Sequence, residues 1–100
     1  MSLKDFITNE DYRRRIEAKL NFGTKQRERV YRKISSFLRN GVSLPETLRI
    51  LYKISTDDGK NLKNPMAYIY REWLNRVNNG MNFGRAVEGW VPAGDRVIID

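Results

Sequence analysis

Residues 37–48 read Phe37-Leu38-Arg39-Asn40-Gly41-Val42-Ser43-Leu44-Pro45-Glu46-Thr47-Leu48. This stretch ends one helix and begins another. Gly41 suits the left-handed position just past a helix C-terminus. Ser43 followed three residues later by Glu46 is a capping box, and Pro45 falls in the first turn, where a missing N–H costs nothing. Upstream, Val30, Ile34, Phe37 and Leu38 fall within about 100° of one another at helical spacing, which predicts a helix over about 25–40 with Thr24 as N-cap. Lys25, Arg29, Arg32 and Lys33 occupy the opposite side. Downstream, Leu44, Leu48, Leu51 and Ser55 line one face of a helix, flanked by Thr47 and Ile54, that ends near Thr56. Asp57-Asp58-Gly59 is turn chemistry, and 57–63 reads as a polar loop.

The same grammar recurs 39 residues on, as Gly80-Met81-Asn82-Phe83. Leu48 then matches Val87 and Leu51 matches Trp90. In each copy a helix stops at glycine, one apolar residue follows as a possible staple, and a polar cap starts the next helix. The helix before the second junction starts at Asn64-Pro65 and carries Met66, Ile69, Tyr70, Trp73, Leu74 and Val77 on a broad apolar face. Tyr68 falls on its polar side, where exposure is expected. The helix after the junction runs from about Phe83 to Gly89, with Asn82 as cap. Nearer the amino terminus a helix over about 9–21 is predicted, with Thr8 as cap, Glu10 and Asp11 in its first turn, and Gly23 closing it. Tyr12, Ile16 and Leu20 form its one narrow apolar stripe. A sixth segment spans about 93–100. No run shows sustained period-2 alternation, so the expected fold is all-α: an antiparallel bundle of helix–turn–helix hairpins, five to six helices in number, the last truncated.

The chain has 100 residues, room for one domain. Hydrophobic residues make up 40%, too many for disorder. No apolar run approaches the roughly 18 residues of a spanning helix. With neither Cys nor His, disulfides, thiolate or imidazole zinc sites, Ser-His-Asp triads and Cys-His dyads are excluded. There is no G-x-x-x-x-G-K-[ST] phosphate loop. Met1-Ser2-Leu3-Lys4-Asp5 lacks the apolar core of a secretory signal. The net charge of +7 is lopsided: residues 1–40 hold 11 basic and 5 acidic side chains, residues 41–100 hold 8 and 7. Such an amino-terminal half suits phosphates, anionic headgroups or an acidic partner. Val97-Ile98-Ile99 at the carboxyl end needs cover, which predicts a chain cut from a longer protein or self-association through Val97 and Ile99.

The two junctions, Phe37 to Leu48 and Gly80-Met81-Asn82-Phe83-Gly84-Arg85-Ala86-Val87, followed by Trp90-Val91-Pro92, resemble the cytoplasmic domain of the inner-membrane platform proteins of type II secretion and type IV pilus machines, the GspF/PilC family. The likeness covers about residues 30–100. It leaves residues 1–23 as a basic amino-terminal extension and 24–100 as the family-like domain, incomplete before the family's Gly-Glu-x-x-Gly turn and sixth helix. What the resemblance implies is a six-helix bundle on the cytoplasmic face of the bacterial inner membrane, attached through segments absent from this chain. It further implies a non-catalytic platform without cofactor, which docks the hexameric assembly ATPase and other inner-membrane assembly proteins and passes mechanical work to pilin.

Among the charged residues, Lys25, Arg29, Arg32 and Lys33 are the candidate partner site, a continuous basic stripe opposite a core face that an acidic surface would complement. The Arg13-Arg14-Arg15 run sweeps about 200° of helix and cannot face one surface. Arg15 and Lys19 share a face and are candidates for an anionic membrane surface or a partner. The alternative reading is a small basic helix–turn–helix nucleic-acid binder. Against it, the would-be reader helix 44–55 carries only Arg49 and Lys53 as cations. Trp73 and Trp90 are expected to anchor the core or an interface, each buried indole N–H then needing an acceptor.

Overall fold

The computed structural model describes the backbone of residues 3–91 and the side chains of residues 10–91. It is an all-α bundle, with α1 at Leu3–Leu20, α2 at Thr24–Arg39, α3 at Leu44–Ser55, α4 at Pro65–Asn78 and α5 at Phe83–Ala86, and no strand among the described residues. The expected sixth segment, and with it Val97 and Ile99, lies outside the described residues.

The two repeated junctions share one geometry. Past α2, Gly41 has φ +84°; past α4, Gly80 has φ +95°. At each, the glycine N–H donates three residues back (Gly41 to the Leu38 carbonyl at 3.1 Å, Gly80 to Val77 at 3.0 Å). The next N–H donates five back (Val42 to Phe37 at 3.0 Å, Met81 to Arg76 at 3.1 Å), which completes a Schellman motif. Ser43 Oγ then accepts from the Glu46 N–H at 3.4 Å, and Asn82 Oδ1 from the Arg85 N–H at 2.9 Å. The 39-residue near-repeat is thus a repeated piece of backbone chemistry.

The loop after α3 uses the same motif without glycine at its key position. The Asp57 and Asp58 N–H groups donate to Ile54 and Lys53 at 3.1 and 3.0 Å, with φ +50° and +58°. A side chain in the left-handed region costs roughly 1–2 kcal/mol. Asn64 closes this loop: its Nδ2 donates to the Ser55 carbonyl ending α3 at 2.8 Å, and its Oδ1 accepts from the Met66 N–H starting α4 at 2.9 Å.

Some boundaries differ from the expected ones. Helix α1 runs back through Thr8 to Leu3, so Thr8 is interior rather than a cap. Gly23 is the N-cap of α2, and Thr24 its first helical residue. Helix α5 stops at Ala86, and turns continue to Trp90. The core gathers Val30, Ile34, Leu48, Leu51, Ile69, Trp73, Phe83 and Val87. Helices α3 and α4 make its most extensive pairing, with α1 and α5 on α4 and α2 on α3. The basic amino-terminal segment packs on the bundle, since Ala18 and Phe22 belong to this core.

Two predicted faces turn out differently. The Tyr12, Ile16 and Leu20 stripe is real but points to solvent, with exposures of 63, 41 and 81%. The inward side of α1 instead carries Ala18 and the half-buried Arg14 and Arg15, which rest on aromatic rings. Tyr68, expected to be exposed, is 5% exposed because α1 covers that side of α4. Ile54 also faces outward.

A Cβ added at Gly41 or Gly80 meets nothing within 4 Å, so only the backbone opposes a side chain there. Replacing either glycine with alanine is expected to lower stability by about 1 kcal/mol. Asp57→Gly is expected to raise it by a similar amount, and urea unfolding followed by circular dichroism measures all three.

Candidate partner-docking surface

The amphipathic period of α2 sets its basic stripe. Val30 and Ile34 are buried, and Lys25, Arg29, Arg32 and Lys33 are all exposed on the far side. The structure therefore brings the four predicted residues onto one ridge. Within it Arg32 lies 3.9 Å from Glu28, with both side chains mostly in water. A pair that long and that exposed is worth at most a few tenths of a kcal/mol and leaves both groups open to a partner. Buried residues on one side and the Schellman turn at its end fix the ridge as a rigid element.

The other predicted cations, Arg15 and Lys19, do share a face, and that face turns toward Trp90, with Arg15 half-buried and Lys19 exposed at its edge. Arg15 Nη1 donates to Glu72 Oε1 at 3.2 Å, and its guanidinium lies 5.5 Å from the Trp90 ring centroid. Lys19 Nζ lies 5.3 Å from the same ring. Arg14 lies 6.0 Å over Tyr68 and donates from Nη2 to the Leu62 carbonyl at 2.6 Å. Arg71 lies 5.3 Å over Tyr68 from another direction and 3.8 Å from Asp11. Much of the charge on α1 thus works as an internal seam of cation–π contacts and ion pairs joining it to α4 and the Trp90 turn. Of the three consecutive arginines, only Arg13 is exposed.

Glu72 is the hub of this seam. It also accepts from Arg76 Nη2 at 2.7 Å, and Arg76 Nη1 reaches the carbonyls of Ala86 and Glu88 at 2.9 and 3.0 Å. One carboxylate therefore links α1 to α4, and through Arg76 to the turn after α5. Sequence reasoning missed it; the signal available was its i,i+4 spacing to Arg76 beside the Trp73 face. Both tryptophans are buried as expected, but neither indole N–H reaches an acceptor among the described residues.

As a nucleic-acid reader, α3 presents little free charge. Arg49 pairs with Glu46 at 3.1 Å, and Lys53 lies 3.7 Å from Asp58. No group of three His, Cys, Asp or Glu side chains among the described residues is placed to hold a metal ion.

Burial pushes the phenol of Tyr70 up to about 12. The Tyr68 phenol is also raised, chiefly by burial and then by Glu72 and Asp11. Raised acids stabilise the fold below the unfolded value near 10 and lose that contribution as pH climbs through the folded value. Stability is therefore expected to fall above about pH 10, by up to ~1.4 kcal/mol per pH unit for Tyr70 until its folded value is reached. Tyr70→Phe should flatten this slope in denaturant titrations between neutral and strongly alkaline pH.

Set against known proteins, the chain matches no family model, no curated protein and no solved structure.

Proposed function

We propose that this chain is a non-catalytic adaptor domain of an inner-membrane platform protein, working at the cytoplasmic face in type IV pilus or type II secretion assembly. In this reading it docks an acidic surface of the assembly ATPase through the outer face of α2, with other inner-membrane assembly proteins and pilin reached through its parent protein. The observation that carries the reading is the rigid ridge of four exposed cations, Lys25, Arg29, Arg32 and Lys33, on a helix whose opposite face is buried. Support also comes from the twice-used Schellman-to-cap junction, the feature on which the likeness to platform proteins rests. A nucleic-acid role is the weaker reading, because α3 carries only the two cations Arg49 and Lys53, each beside an acid, while the four-cation ridge sits on the preceding helix.

Mixing the purified chain with the purified hexameric assembly ATPase of its own cell tests the proposal. Binding is expected, weakening with salt, and falling at least about tenfold when Lys25, Arg29, Arg32 and Lys33 are all changed to Glu. No binding to the ATPase, together with salt-sensitive binding to duplex nucleic acid through the same four residues, would sink it.

A further inference from the structure

Helix α1 is held to the bundle by a different kind of contact from the one that joins α3 to α4. Those two helices bring Leu48, Leu51, Ile69 and Trp73 to the shared core. From Glu10 to Leu20, by contrast, Ala18 is the one buried residue, and Tyr12, Ile16 and Leu20 all face water. What ties this stretch to α4 and the Trp90 turn is polar. Arg14 lies over Tyr68 at 6.0 Å and Arg15 over Trp90 at 5.5 Å. Arg15 Nη1 lies 3.2 Å from Glu72 Oε1, and Asp11 lies 3.8 Å from Arg71. Half-exposed contacts of this kind stabilise far less than buried apolar area does. The large apolar anchor comes only after the helix, at Phe22, edge-on to Trp73 at 5.8 Å. Asn21, exposed and in a turn, separates the helix from that anchor.

We propose that α1 is a strap: it undocks from α4 as a unit up to Asn21, while Phe22 and helices α2 to α5 keep their packing, and the Arg15–Glu72 pair is its latch. Segments with few buried apolar contacts are the ones that open below the cost of global unfolding. Glu72 lowers the cost further. Its Oε1 receives both Arg15 and Arg76, at 3.2 and 2.7 Å, while Oε2 is covered and has no hydrogen-bond partner among the described residues. A covered carboxylate oxygen without a donor carries a desolvation cost. Lifting Arg15 away lets water reach Glu72, and Arg76 stays on Oε1. Undocking uncovers Tyr68, Trp90 and Glu72, the face that now receives arginine side chains, so the strap governs access to it. The assignment makes no use of the α2 ridge and stands or falls separately from the adaptor reading.

Residue-resolved hydrogen exchange on the full chain, read by NMR, tests it. Amides of residues 14–20 should share one protection level, about 100-fold or more below that of Leu51 and Trp73. Arg15→Gln should speed exchange across 14–20 by about tenfold and leave Leu51 and Trp73 nearly unchanged. Arg13→Gln, an exposed change on the same helix, should alter neither. Four results would each overturn the proposal. The first is exchange in 14–20 as slow as at Leu51, so that α1 opens only when everything does. The second is protection that rises steadily toward Leu20, which is fraying. The third is no protection in 14–20 at all, so that nothing is latched. The fourth is an Arg15→Gln effect that is equal on α1 and α3, or absent from both.

Discussion

The aromatic contacts of Trp73 hold three parts of the chain at one point. Its ring meets Phe22, just past α1, edge-on at 5.8 Å, and Phe83, the first residue of α5, at 5.8 Å. Tyr70, one turn back on α4, lies 6.3 Å away. Phe22 carries the cluster on to Trp90 at 6.4 Å, and Tyr68 meets Trp90 at 6.1 Å. Removing a buried side chain of this size typically costs about 3–5 kcal/mol, a large part of the stability of a 100-residue domain. Helix α5 is only four residues long and cannot persist by itself; Phe83, Val87 and Trp90 give it a place only because Trp73 is there.

Polar chemistry is organised around the same centre. Glu72 sits beside Trp73 in sequence and carries the ion pairs from α1 and within α4, while Arg76 extends them to the carbonyl of Ala86 at the end of α5 and that of Glu88 just after it. Exposed ion pairs contribute little, but Glu72 is mostly covered, and Arg76 ties up carbonyls that no helix would satisfy. The basic amino-terminal segment is held by the same means, with Arg14, Arg15 and Lys19 resting on aromatic rings and Phe22 pinned in the core. This internal use of charge leaves the α2 ridge as a basic surface open to a partner.

Local signals were legible where one residue decides the outcome. Gly41, Gly80, Ser43, Asn64 and Asn82 take the capping positions that their chemistry predicts, and α2 buries Val30 and Ile34 where its period puts them, although Leu38 at the edge of that face is exposed. What the period could not reveal was which side of α1 and α4 a neighbour would cover. Tyr12, Ile16 and Leu20 repeat at helical spacing yet face water, because Arg14 and Arg15 have long apolar stems and delocalised heads that pack on rings. Tyr68 is buried for the same reason: two arginines and α1 lie over it. The pairings of Arg14 with Tyr68 and of Arg15 with Trp90 join residues more than 50 positions apart, and no local pattern encodes them.

The partner surface of α2 is the central claim of this account. Site-specific photo-crosslinking in cells tests it most directly, with a photoreactive residue placed once at Arg29 and once at Lys53 on α3. A crosslink to the assembly ATPase from position 29, and none from position 53, is the predicted result. Equal crosslinking from both positions, or an ATPase reached only from position 53, would contradict it.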